Sequence, residues 1–271
     1  QSGALGFQAP AGLTNSGHVT AGAGTTFNLT GVTLESGSTF SGTGTLRMNG
    51  TTTVTGDLTV PVPVLLEGTV TGAGKLTLAA AMTWTVGTVS LAGGLEVGAA
   101  QTLTVSTSNQ HVLAGPLTNH GTVAWTDGVF YIQSTNAVVN AIDGVWEVQG
   151  DLTLTSSSCG SPTFANAGLL RRSGTTGILT IGSCVALTNT GTIQLRLGGT
   201  GAGQFDRIAA GQVTLGGTLD VALVNGFTPA TGDTFGLLSY SSRSGTFASI
   251  DGNGQTYVAS YGATLLTLQK D

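Results

Sequence analysis

Asp127 and Asp151 are the closest approach in this sequence to a catalytic pair. Glycoside hydrolysis needs two carboxyl groups held about 5 to 9.5 Å apart across a sugar. If the chain repeats with a period near 24, these two stand as neighbours, the like-charge closeness that acid–base chemistry exploits. Each also sits beside a glycine, in Thr126-Asp127-Gly128 and Gly150-Asp151-Leu152. Such Asp side chains ordinarily bond to the backbone of a turn, and that is the simpler account. The 13 acidic residues are otherwise scattered, with no His, Lys or Tyr beside this pair in sequence to tune it. The expectation is a chain that is not an enzyme, with Asp127 and Asp151 as the residues to test if it is one.

Other spacings point to structure. Glu147 and Arg171 share the same offset, opposite charges at one register position, so a cross-coil ion pair is expected. Exposed, it would contribute at most about 1 kcal/mol. Cys159 and Cys184 end two segments, Thr153-Leu-Thr-Ser-Ser-Ser-Cys159 and Ile178-Leu-Thr-Ile-Gly-Ser-Cys184, that align at an offset of 25. Stacked strand residues lie about 4.8 Å apart, inside the reach of a disulfide. A bridge is therefore expected, with two buried thiols as the alternative. Two Cys with the distant His18, His111 and His120 have no ligand spacing, so no metal and no other cofactor is expected. Gly42-Thr-Gly44 and Gly72-Ala-Gly74 lack the Lys-Ser/Thr that reaches phosphate. Asn28-Leu-Thr30 and Asn49-Gly-Thr51 fit glycosylation acceptors, for which chance is the simpler account.

The elements that must carry these residues repeat. Asn119-His-Gly-Thr-Val-Ala-Trp, Ile142-Asp-Gly-Val-Trp-Glu-Val, Asn166-Ala-Gly-Leu-Leu-Arg-Arg and Asn189-Thr-Gly-Thr-Ile-Gln-Leu place Gly121, Gly144, Gly168 and Gly191 at intervals of 23, 24 and 23. Two residues on come Val123, Trp146, Leu170 and Ile193, all apolar. The next positions hold Ala124, Glu147, Arg171 and Gln194, mostly polar. That is strand alternation once per period. Shorter echoes precede it, such as Gly56-Asp-Leu-Thr-Val and Gly74-Lys-Leu-Thr-Leu, with no helical pattern between them. The pattern predicts an all-β parallel β-helix, a β-solenoid with coils of about 23–25 residues over residues 1–202. The inward residues would form one apolar column that no single coil could bury alone. Stacked Asn side chains at the bends would satisfy backbone groups. An antiparallel sandwich is the rival, less favoured because hairpins do not repeat a register in one sense. Arg172 breaks the pattern where Trp125, Val148 and Leu195 stand, and marks a bulge or, less simply, a polar surface site.

Composition agrees. The chain holds 44 Gly and 6 Pro in 271 residues, only 8% are charged, and Thr, Val and Leu supply strand propensity. Disorder needs more charge and less hydrophobicity, and collagen needs Gly at every third position. A net charge of −5 argues against nucleic-acid binding, which wants a basic stripe. No apolar run reaches the length of about 18 residues that marks a membrane span. The chain opens at Gln1 with no signal peptide, as expected of a mature exported protein.

From Gly203 the motifs change: Gly203-Gln-Phe-Asp-Arg-Ile, then Val213-Thr-Leu-Gly-Gly-Thr-Leu-Asp-Val-Ala-Leu, Asn225-Gly-Phe-Thr-Pro-Ala-Thr-Gly-Asp-Thr-Phe-Gly-Leu-Leu and Arg243-Ser-Gly-Thr-Phe. In this order, over residues 203–268, they resemble the late passenger region of bacterial autotransporters and related secreted surface proteins, where such a pattern caps a right-handed β-helix. The resemblance implies that the β-helix over residues 1–202 is right-handed and that residues 203–271 form a β-rich cap continuing the solenoid. It also implies an adhesin-like role outside a bacterial cell, supplies no catalytic residues, and gives Asp206-Arg207 the task of tying the cap to the last coil. A membrane barrel normally follows; none follows Asp271, which implies either its removal or another mode of attachment.

The expected function is a secreted or cell-surface scaffold contacting glycans or proteins through long polar faces, as multivalency favours. One alternative is a polysaccharide lyase or hydrolase. Another is an ice-binding solenoid, which needs Thr at every coil of a flat face; runs such as Thr51-Thr-Thr-Val-Thr and Thr102-Leu-Thr occur, but without an evident coil-to-coil register.

Overall fold

The computed structural model describes residues 6–133, 135–156, 159–160 and 162–271; the first five residues of the expected 1–202 body and part of the Thr153–Cys159 segment lie outside these. Alternating Val, Thr and Leu, cut every few residues by Gly, Asn or Pro, yields short strands, and each strand pairs with its counterpart one coil away. One turn shows the plan: Thr45–Met48, Thr51–Val54 and Leu58–Val60 occupy three faces in succession. Val64–Leu66 then returns to the first face and pairs in parallel with Thr45–Met48, Val64 opposite Leu46. The first face is a parallel sheet of twelve strands, from Gly6–Gln8 to Ser249–Asp251. The other two faces join into one sheet because late strands such as Ile178–Asn189 bend round the corner between them. The protein is an all-β parallel solenoid, and the described residues contain no helix.

Coil length is not uniform. Leu46, Val64 and Met82 are successive partners, and the numbering advances by 18 at each step; from Leu103 to its partner Val123 it advances by 20. Val123, Trp146, Leu170, Ile193 and Leu219 follow at 23, 24, 23 and 26. The expected period of 23–25 thus holds in the later coils and fails in the earlier ones. The cause is at the corners. Most early corners use two or three residues, and several bring backbones together at glycine: a Cβ on Gly87, whose φ is 103°, would collide with the carbonyl of Gly68. Later corners carry extra residues, such as Ile142-Asp143, and Ile142 projects into solvent at 86% exposure.

The inward side chains form one column. Val123, Trp146, Leu170 and Ile193 are buried, while Ala124, Glu147, Arg171 and Gln194 pair on the outer side. The wider coils admit aromatic rings, which meet edge to face: Trp84–Phe130, Phe130–Trp146 and Trp146–Phe164 centroids lie 5.8, 5.5 and 5.0 Å apart. Such contacts add about 0.5–1.5 kcal/mol each beyond the area they bury.

One corner of the later coils is held by an asparagine ladder. Asn119 Nδ2 donates to Asn140 Oδ1 at 2.7 Å, Asn140 Nδ2 to Asn166 Oδ1 at 2.7 Å, and Asn166 Nδ2 to Asn189 Oδ1 at 2.6 Å. Asn189 Nδ2 ends the chain on the carbonyl of Gly216 at 2.7 Å. All four are buried. Asn140, not Ile142, occupies the corner of its coil.

Parallel coiling continues past residue 202 through Arg207–Leu215, Thr218–Leu223 and Thr234–Gly245. The last segment turns antiparallel: Leu265–Lys270 pairs with Thr234–Gly245 on one side and Tyr257–Tyr261 on the other. That hairpin covers an edge that would otherwise offer unpaired backbone groups.

Candidate functional site

Parallel stacking turns the Thr-x-Thr runs into columns, because one residue per coil falls at each outward position. On the second face Thr14, Thr33, Thr53, Thr71 and Ser90 are successive partners. Two positions before the last three of these, Thr51, Thr69 and Thr88 form a parallel column. The expectation that these threonines lack a common register is therefore incorrect. Unequal spacings in the sequence hide a regular array in space. The columns repeat about every 4.8 Å along the axis and stand about 6.7 Å apart across it. The array ends where Val112 and Tyr131 continue the column of Thr88.

Asp127 and Asp151 stand at the same corner of successive coils, each two positions before the paired Val129 and Thr153. Their carboxylates have other tasks. Asp127 Oδ1 accepts the amide of Gly128 at 2.7 Å, and its carbonyl accepts the indole N–H of Trp125 at 3.0 Å. Asp151 Oδ1 accepts the amide of Ile178 at 2.7 Å and Arg172 Nη2 at 3.0 Å.

Arg172 is neither a bulge nor a surface group. It pairs in register with Val148, points inward, and is 1% exposed. Its Nε donates to Asp206 Oδ1 at 3.2 Å. Asp206, itself fully buried, also receives Arg196 through Nε at 2.7 Å and through the Arg196 amide at 2.9 Å. Arg196 goes on to the carbonyls of Gly174 and Thr175. Charges this deep persist only when paired and hydrogen-bonded. The cluster binds the segment leading into Arg207–Leu215 to the two coils below it. Sequence reasoning singled out Arg172 and Asp206 separately; nothing in their spacing along the chain joins them.

Cys159 and Cys184 are bridged, with Cα atoms 4.5 Å apart. The alignment behind that expectation is two positions out in its first part, for Thr153 pairs with Thr180 and not with Ile178. A slip of two keeps every side chain on its own side of a strand. Further along the same strand the offset changes, Leu154 pairing with Ile181 but Thr163 with Ala186, and Cys184 lies between the two.

On the outer surface Arg171 Nη2 lies 2.7 Å from Glu147 Oε2, and Arg47–Glu67 and Lys75–Glu96 repeat the device at 2.5 and 2.8 Å. Burial pushes Glu147 up, but hydrogen bonds from Arg171 and Ser173 outweigh it and hold the carboxyl below its ordinary value. His120 holds Asp143 low in the same way, through a 2.8 Å contact. His111 is buried against Trp84, its Nε2 2.9 Å from the carbonyl of Ser106, and burial pushes the imidazole below its usual range. The described residues contain no group of three His, Cys, Asp or Glu able to hold a metal.

Fold and surface together define a parallel β-solenoid with hydroxyl columns on an outer face and a buried ion cluster near its C-terminal end. The sequence matches no protein-family model and no curated protein.

Proposed function

We propose that this chain is a secreted or cell-surface scaffold of bacterial origin, adhesin-like, that contacts glycans or proteins through its long faces. The observation that carries this is the double column Thr51/Thr53, Thr69/Thr71 and Thr88/Ser90, extended by Thr14 and Thr33. Each coil presents the same weak hydrogen-bonding unit, and a rigid axis holds the units at a fixed repeat. A polymer with a commensurate repeat gains from many such contacts at once. The disulfide supports export, since such bonds persist in oxidising compartments. The order of motifs over residues 203–268 supports the autotransporter-passenger kinship, and the right-handed preference of parallel crossovers supports the hand of the coil. A glycan and surface-protein array tests the reading: binding should fall when Thr53 and Thr71 are replaced by Lys. An array without a hit, or hits indifferent to those changes, would discard it.

The same columns favour a second reading, an ice-binding face. Paired methyl and hydroxyl groups on a flat lattice are a template to which ordered water can be matched. Freezing-point hysteresis lost in Thr71→Lys would support it; no hysteresis in the parent protein would remove it. As for catalysis, the chain should release no reducing ends or unsaturated products from plant, algal or bacterial polysaccharides. Activity abolished by Asp127→Asn or Asp151→Asn would replace the scaffold with an enzyme.

A further inference from the structure

Of the eight Lys and Arg side chains, Arg47, Lys75, Arg171, Arg172 and Arg196 each meet a carboxylate side chain. Among the described residues, Arg207 meets none. Its guanidinium lies over the ring of Phe205 at 5.8 Å, and its Nε is shielded from solvent with no hydrogen-bond partner. Beside it a concavity of about 300 Å³ opens between the last coils and the terminal hairpin, walled by Ile178, Phe205, Ser239 and Leu265. Gly236 forms part of the lining, and its missing side chain keeps the space open: a Cβ there would come within 3.3 Å of Leu265. We infer that this concavity binds the carboxylate of an acidic sugar.

The argument is one of complementarity. An unpaired, part-shielded guanidinium in a protein of net charge −5 selects an anion, and its planar fork suits a carboxylate. The rest of the lining is apolar apart from Ser239, which suits the C–H face of a pyranose and offers one hydroxyl to its edge. No acidic residue is among the described residues that line the concavity, so an amino acid would find no partner for its ammonium group. The volume is at the small end of ligand sites, enough for one or two sugar units. Asp206, gripped by Arg172 and Arg196, fixes the backbone between Phe205 and Arg207 and so sets ring and guanidinium in place.

This inference does not depend on the threonine columns, which belong to the early coils. The experiment titrates sodium glucuronate, glucose and acetate separately into isotope-labelled protein and follows the backbone amides. Glucuronate should shift Arg207, Ala209, Gly236 and Ser239, and bind at least about tenfold more tightly than either control, the equivalent of about 1.4 kcal/mol. Arg207→Gln, which removes the charge, and Gly236→Val, which fills the space and keeps the charge, should each abolish the shifts. Amides elsewhere report whether each variant keeps its fold. Acetate binding as tightly as glucuronate would overturn the sugar assignment. Absent shifts, or shifts that survive both substitutions in folded protein, would overturn the site.

Discussion

The two halves of this solenoid reach the same stacked geometry by different means. Up to Val123 the coils are short, turn on glycine, and hold mainly aliphatic side chains around Trp84. Beyond it they lengthen and contain ring stacks, an asparagine ladder, a disulfide and a buried ion cluster. A tight coil satisfies its backbone mainly by close approach, helped by short hydroxyls such as that of Thr52 on the carbonyl of Leu29. A wide coil leaves interior volume and corner carbonyls that backbone contact cannot reach, and side chains must supply what is missing.

That contrast predicts where substitutions hurt. The largest effect should come from Asp206→Ala, which leaves buried Arg172 only the exposed Asp151 and Arg196 only backbone carbonyls; stability should fall by about 3–5 kcal/mol in urea titration. Opening the disulfide with Cys159→Ser and Cys184→Ser together should cost about 3 kcal/mol in the chain-entropy model. Thiol titration of the unfolded, unreduced parent should find no free Cys. Asn166→Ala removes a middle rung of the ladder and should cost about 1–3 kcal/mol for each buried group left unpaired. Asn49→Ala, at a corner of the tight half, should change stability by only about 0.5 kcal/mol. Equal losses at the two corners would erase the distinction between halves. Smallest of all, Arg171→Ala on the outer face should cost less than about 1 kcal/mol, because the Arg171 side chain is itself more than a third exposed.

The wide half was legible in the sequence because its side chains carry the periodicity. Asn119, Asn166 and Asn189 recur with glycine two positions later, and Val123, Trp146, Leu170 and Ile193 keep step with them. The tight half showed only fragments. Its corners are glycine backbone, interchangeable from coil to coil, and its period drifts between 18 and 21, so the threonine columns vanish when the chain is laid out in a line. Asp206 escaped pairing with Arg172 for another reason: the contact joins two coils across a loop, where no spacing rule applies. Asp127 and Asp151 were placed at the right corner, and what their carboxylates bind there was open until the amides of Gly128 and Ile178 were seen.

The loop closed by Cys159 and Cys184 also has a mechanical meaning. Drawn from its ends, a solenoid comes apart coil by coil, and one short coil releases about 60 Å of chain where it had contributed a rise of about 4.8 Å. The early coils, held edge to edge by short strands, can spool out in this way. The stretch joining the two cysteines, which are 25 positions apart, cannot; roughly 85 Å of contour stays locked within a single coil. Extension that begins at the threonine-ruled end therefore runs into a clamp before it reaches Arg196, Asp206 and the terminal hairpin.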